Sequence, residues 1–145
     1  MMSGLFPNTP EKMEGFLKMA SDPQQNVLFA IVDKGTDKHI GNAKLGPISY
    51  VHRKSEFGIM IGDKSFWGKG YCKEATQLVA RYAFERLNLN RLELVVVSEH
   101  ASAIAAYKRV GFKVEGCARE QFYSNGKFLD RTYMGLLKKE FLNER

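Results

Sequence analysis

One stretch constrains this chain more than any other: Ile59-Met60-Ile61-Gly62-Asp63-Lys64-Ser65-Phe66-Trp67-Gly68-Lys69-Gly70-Tyr71. Its first residues, with Glu56, Phe57 and Gly58 ahead of them, are apolar enough for a buried strand, and its end carries two glycines one residue apart. A helical pattern follows at once, with Ala75, Leu78, Val79, Tyr82, Ala83 and Arg86 at three- and four-residue steps. Strand, glycine loop and helix start together suit a phosphate. Glycines let the backbone approach closely, the first helical amides lack partners, and the helix dipole favours negative charge there.

The loop excludes the two commonest phosphate ligands. A nucleoside triphosphate loop needs Gly-Lys followed by Ser or Thr, whose hydroxyl holds magnesium. Here Gly68-Lys69 runs into Gly70 and Tyr71. A dinucleotide fingerprint needs a small third residue at position 73, which is Lys73.

Length and charge bound the remainder. The 145 residues allow one domain with a sizeable core and are too few for two ordinary ones, so residues 1–145 form a single domain. No apolar run approaches the ~18 residues of a membrane span, and no basic-then-apolar leader opens the chain. The two cysteines, Cys72 and Cys117, stand in no metal or redox spacing, so no metal and a reduced, cytoplasmic setting are expected. A net charge of +6 raises nucleic acid as a partner, but the cations are scattered and interrupted by acids such as Glu56, Asp63 and Glu74. A mildly basic protein binding an anionic ligand accounts for the charge without it.

Taken in order, Thr9-Pro10-Glu11 opens a helix that Asp22-Pro23 closes. Val27–Val32, Ile40–His52 (bent at Gly46-Pro47) and Glu56–Ile61 form an antiparallel meander. The long helix spans 71–86. Arg91–Val97 follows it, and its unbroken Leu94-Val95-Val96-Val97 run predicts a strand buried on both faces beside a parallel neighbour. Strand 56–61, helix and strand 91–97 then make a right-handed βαβ crossover. A shorter helix, 101–110, stops at Gly111, and two last strands, 112–121 and 128–137, join across Asn125-Gly126.

This order over residues 27–137, with Trp67-Gly68-Lys69-Gly70-Tyr71 and the following Glu74-Ala75, resembles the GCN5-related N-acetyltransferases (GNAT), and within them the RimJ/RimL-like branch. The family loop reads Gln/Arg-x-x-Gly-x-Gly/Ala. The glycines match at Gly68 and Gly70, while Ser65 stands at the first position. The resemblance implies an α/β acyl-CoA N-acyltransferase fold: a mixed central sheet whose parallel pair splays apart, flanked by helices. Such relatives begin with a strand and helix for which residues 1–8 leave no room, so the chain is naturally short, a fragment, or read from a misplaced start.

The resemblance further implies acetyl-CoA as co-substrate, bound where strands 56–61 and 91–97 part. Backbone groups of Ile59, Met60 and Ile61 would hold the pantetheine arm, and amides of Phe66, Trp67, Gly68, Lys69, Gly70 and Tyr71 the pyrophosphate. Lys69 and Lys73 add charge there or merely solvate a face. Tyr107 occupies the position of the family tyrosine facing the cofactor sulfur, where a phenol protonates the departing thiolate; otherwise it is a core aromatic. His100 stands where relatives place a cofactor-bonding asparagine, or is an exposed loop residue. Glu56 is a base near the acceptor or a solvated edge acid. Asp130, Glu120 and Tyr123 are further acceptor-side candidates, and Cys72 is a small buried filler.

The expected activity is direct acetyl transfer from acetyl-CoA to a primary amine: a protein N-terminus, the amino group of a nucleotide sugar, or another small molecule such as an amino acid or polyamine. The rival reading is a non-catalytic acyl-CoA-binding or regulatory module, resting on Ser65, His100 and the short N-terminus. An unpaired sheet edge would invite a second copy, so a homodimer belongs to either reading.

Overall fold

The computed structural model describes residues 25–143, so the helix expected to open at Thr9-Pro10-Glu11 and end at Asp22-Pro23 lies outside the described residues. Six strands form one mixed sheet: β1 (Val27–Asp33), β2 (Lys38–Ser49), β3 (Lys54–Ile61), β4 (Arg91–Val97), β5 (Lys113–Ser124) and β6 (Lys127–Leu137). Their order is β1-β2-β3-β4-β6-β5, which leaves β1 and β5 at the edges among the described residues. Helix α1 (Tyr71–Arg81) links β3 to β4, α2 (Ala101–Val110) links β4 to β5, and α3 (Lys138–Asn143) closes the described chain. This is the GNAT arrangement, a splayed mixed sheet with flanking helices.

The meander β1-β2-β3 is antiparallel, as the alternation predicts. Its bend falls at Gly46-Pro47, where the peptide is cis and the β2–β3 register shifts between Leu45 and Ile48. At Gly46, with φ 151°, a Cβ would lie 2.0 Å from the Asn26 side-chain oxygen, so a larger residue would have to displace that buried side chain. The β5–β6 turn is Asn125-Gly126 with both residues at positive φ, the geometry that matches the twist of paired strands.

Strand β4 departs from expectation. It pairs in parallel with β3 only through Lys54–Arg91, Ser55–Leu92 and Glu56–Glu93, whereas β6 follows it antiparallel along its whole length. Nor is it buried on both faces. Leu92 and Leu94 are buried under the helices, and Val95 on the opposite face is 41% exposed. The valine run reflects the preference of branched side chains for extended backbone rather than two-sided burial.

Helix α1 also differs from its pattern. Ala75, Val79 and Ala80 are buried as their spacing requires, but Leu78 is exposed and Thr76 is buried in its place, its hydroxyl donating to the Cys72 carbonyl at 2.6 Å. The last turn widens into a π-helix over Tyr82–Arg86, with the Leu87 amide donating to the Tyr82 carbonyl. Phe84 within that turn is fully buried, with its ring centroid 5.5 Å from that of Phe141 on α3. The core lies between the helices and one sheet face, where Leu45, Leu89, Leu92, Met134 and Leu136 are fully buried with Phe84. Truncating Phe84 to alanine would cost about 3–5 kcal/mol.

Candidate active site

The register places a cleft at the middle of the sheet. Beyond Glu56 and Glu93, β3 stays on β2 and β4 stays on β6, so the two strands part with nothing of this sheet between them. Each lining strand therefore presents unpaired backbone groups to the gap.

Which groups face it follows from the ladder. The Gly62 amide donates to the Ile40 carbonyl at 3.0 Å, and Met60 lies opposite Asn42 two residues back. Paired residues of an antiparallel ladder alternate, so Met60 spends its N–H and C=O on β2, while Ile59 and Ile61 turn theirs towards the cleft. The Ile61 carbonyl is then taken by the Trp67 indole N–H at 2.7 Å. Of the three residues expected to hold an extended ligand through the backbone, Ile59 keeps both groups free and Ile61 its amide. Met60 does not take part through its backbone.

The loop after β3 folds on itself first. The Asp63 carboxylate accepts the Ser65 amide at 3.0 Å and its hydroxyl at 2.6 Å, and the Phe66 and Trp67 amides donate to the carbonyls of Asp63 and Lys64 in a short 3-10 turn. Phe66 and Trp67 thus have no amide left for an anion. From Gly68 to Lys73, by contrast, no amide has a hydrogen-bond partner among the described residues. Gly68 and Gly70 hold φ of 73° and 84°, and a Cβ at either would meet only open space. Successive free amides leading into the N-terminus of α1 are the donor type that a phosphate takes. The Lys69 ammonium lies 5.8 Å from the Phe66 ring centroid, beside this set.

Two carboxylates tether the loop. Asp63 also pairs with Lys38 at 2.6 Å, and Lys38 and Ser65 together hold its carboxyl down at about 2. Asp33, at the end of β1, accepts the Tyr71 hydroxyl and both the amide and hydroxyl of Thr36. These bonds, Tyr71 foremost, lower the Asp33 carboxyl, and the same contact raises the Tyr71 phenol. The sequence reading missed both acids. Their signals were local: Asp63 precedes a serine by two residues, and Asp33 opens an Asp-x-x-Thr turn.

Tyr107 lies on α2 at the helix side of the cleft, 8% exposed, with ring contacts to Phe57 (6.4 Å) and Phe112 (5.9 Å). Its hydroxyl has no hydrogen-bond partner among the described residues, and burial, then the nearby Cys72, pushes its pKa well above the ordinary phenol value. Burial likewise raises the half-buried Cys72 thiol. Glu56 is on the other side. It precedes Phe57 in β3, so its side chain emerges on the opposite face, exposed and without an ion pair among the described residues. Glu93, its ladder partner, is instead engaged by Arg91 and Lys54.

The other candidates have partners close by in the chain or across their hairpin. His100 is exposed just before α2, and its ring meets Ser102 at 3.3 Å. The Asp130 carboxylate accepts the Glu120 amide at 2.8 Å in the β5 irregularity, and Tyr123 meets Phe128 edge to face near the hairpin tip. Among the described residues no group of histidine, cysteine and acidic side chains could hold a metal. No described helix is long and apolar enough to cross a membrane.

Residues 1–113 match the family described as "Acetyltransferase (GNAT) domain". The chain belongs to the GNAT acetyltransferases. Among relatives of this GNAT chain, a spermidine N(1)-acetyltransferase of Escherichia coli is 36% identical over 104 residues, covering 72% of the chain and 55% of the relative. A putative ribosomal N-acetyltransferase of Bacillus subtilis is 38% identical over 105 residues, covering 72% and 57%. The chain thus spans little more than half the length of these relatives. A solved structure of spermidine N-acetyltransferase from Vibrio cholerae, in complex with CoA and spermine, superposes with a TM-score of 0.86 at 29% identity, covering 94% of this chain and 80% of that one.

Proposed function

We propose that this GNAT domain transfers the acetyl group of acetyl-CoA directly to a primary amine of a small polyamine-like acceptor. The observation that carries the reading is the coincidence of the β3–β4 cleft with the run of free amides from Gly68 to Lys73. An extended thioester fits the first and its pyrophosphate the second. The relatives that act on spermidine support the acceptor class.

The residues divide the chemistry by sheet face. The Ile59 and Ile61 amides face the cleft, where a backbone donor stabilises the charge that develops on the thioester oxygen. Glu56, on the exposed face, takes the proton that the amine sheds as its nitrogen bonds to the carbonyl carbon. The carbon–sulfur bond breaks towards the helix side, where the neutral phenol of Tyr107 protonates the thiolate. A raised phenol pKa keeps that proton in place at neutral pH. Ser65, the departure from the family loop, bonds inward to Asp63, so it shapes the loop instead of the ligand.

The RimJ/RimL-like reading, with a protein N-terminal amine as acceptor, is the second possibility, favoured by the 38% identity to the ribosomal N-acetyltransferase homologue. A cytoplasmic setting fits the two free cysteines, and a homodimer would cover an edge strand. The test is turnover of acetyl-CoA against spermidine, a peptide with a free N-terminus, an amino sugar nucleotide and free amino acids. Turnover of spermidine above the others supports the proposal, peptide turnover favours the second reading, and CoA binding without turnover favours a non-catalytic binding module.

A further inference from the structure

The turn between β1 and β2 grips the glycine loop at both ends. At the strand end, Lys38 pairs with Asp63 at 2.6 Å. At the helix end, Asp33 accepts the Tyr71 hydroxyl, while Thr36 in the same turn fixes the carboxylate through its amide at 3.0 Å and its hydroxyl at 2.8 Å. Between these grips, residues 63–67 are tied by the Asp63 cap and the Trp67 indole bond. From Gly68 to Gly70 no amide has a partner among the described residues, the Gly70 carbonyl accepts the Glu74 amide, and Tyr71 is the residue at which the segment enters α1.

We propose that Asp33 and Tyr71 are positioning residues for the cofactor: their bond holds the Gly68–Gly70 segment in its ligand-ready shape before CoA arrives. Tyr71 then acts through its side chain, in addition to the backbone role that the loop assigns it. The physical ground is preorganisation. Ordering a free backbone costs conformational entropy, and a ligand that must supply that ordering binds more weakly. The phenol ring of Tyr71 also stands edge-on to Phe66, at 5.4 Å between centroids, and Lys69 lies over the other partner of that pair. A shift of Tyr71 would therefore move Phe66 and the cationic side chain beside the phosphate site together.

This inference rests on the reading that the loop takes the phosphates of CoA, and the experiment separates the two. Calorimetric titration with CoA, and KM for acetyl-CoA and for spermidine, are measured on the 145-residue chain and on Tyr71→Phe, Asp33→Asn and the double variant. Tyr71→Phe removes one hydroxyl and keeps the ring against Phe66. Each single change should raise the CoA Kd and the acetyl-CoA KM about tenfold, leave the spermidine KM in place, and add nothing further in the double variant. Unchanged CoA affinity, a spermidine KM that rises in step, or fully additive losses would overturn the clamp. If Asp33→Asn fails to fold, Tyr71→Phe alone decides. A folded wild-type chain that does not bind CoA overturns the cofactor reading itself, and the clamp with it.

Discussion

Tyr107 meets Phe57 edge to face, with ring centroids 6.4 Å apart, across the joint between α2 and β3. The contact seats the tyrosine by its ring, and its hydroxyl has no hydrogen-bond partner among the described residues. Tyr107→Phe should therefore fold with little loss of thermal stability, while kcat falls by about 10²-fold if the phenol is the general acid. Steady-state kinetics beside a melting curve would check this, and an unchanged kcat would remove Tyr107 from the mechanism. The raised phenol pKa adds a pH sign. The proton is held more tightly in the folded state, so this contribution to stability is complete below the unfolded value near ~10 and is lost as pH climbs towards the folded one.

Glu56 offers the complementary test from the other sheet face. Its side chain is exposed and unpaired among the described residues, so Glu56→Gln should leave the unfolding free energy within about 0.5 kcal/mol of wild type. As the proposed base it should lower kcat/KM for spermidine about 10²-fold at neutral pH. The deficit should shrink as pH rises and the acceptor loses its proton to solvent. A pH-independent deficit would show that Glu56 binds the acceptor rather than deprotonating it.

The residues differ in how openly the sequence declared their roles. The order of strands and helices from Val27 to Leu137 was legible because apolar spacing and turn dipeptides such as Asn125-Gly126 report local backbone directly. The helix closing the described chain, α3, was missed because its six residues are too few for a period to show. Leu94–Val97 misled because branched residues mark extended backbone without saying how many faces are covered. Within the site, Gly68 and Gly70 were plain, since positive φ restricts the residue type. Met60, Phe66 and Trp67 were not, because which amides remain free depends on the pairing of every neighbour. The side-chain bond of Tyr71 has no local signal, since its partner Asp33 lies 38 residues away.

Glycine substitutions separate backbone shape from steric room. Gly70 has φ 84° and open space around a Cβ, so Gly70→Ala should cost about 1–2 kcal/mol, the left-handed penalty, and weaken CoA binding as the first amides of α1 turn away. At Gly41 a Cβ would lie 2.2 Å from the Met60 carbonyl oxygen and 2.9 Å from the Ile61 Cα, both backbone. Gly41→Ala must therefore push β2 off β3 at the cleft, and its melting temperature should fall further than that of Gly70→Ala. Equal losses would show that the two strands yield more readily than their pairing suggests.

The single tryptophan, Trp67, lies on the loop with its indole on the Ile61 carbonyl, which makes its emission a local probe. Asp63 caps the same loop, and its carboxyl is lowered from 3.8 to about 2 by Lys38 first and Ser65 second. The sign follows from linkage: a depressed folded pKa contributes stability above the unfolded value, which is lost as pH falls through the folded one. Acid should then release the loop between about pH 4 and pH 2, and Trp67 emission should shift in that window. In Asp63→Asn the neutral amide leaves Lys38 without its counter-charge, so that acid step should vanish and the starting spectrum at neutral pH should already differ from wild type. An identical acid transition in the variant would assign it to the fold as a whole and remove Asp63 as the group that holds the loop.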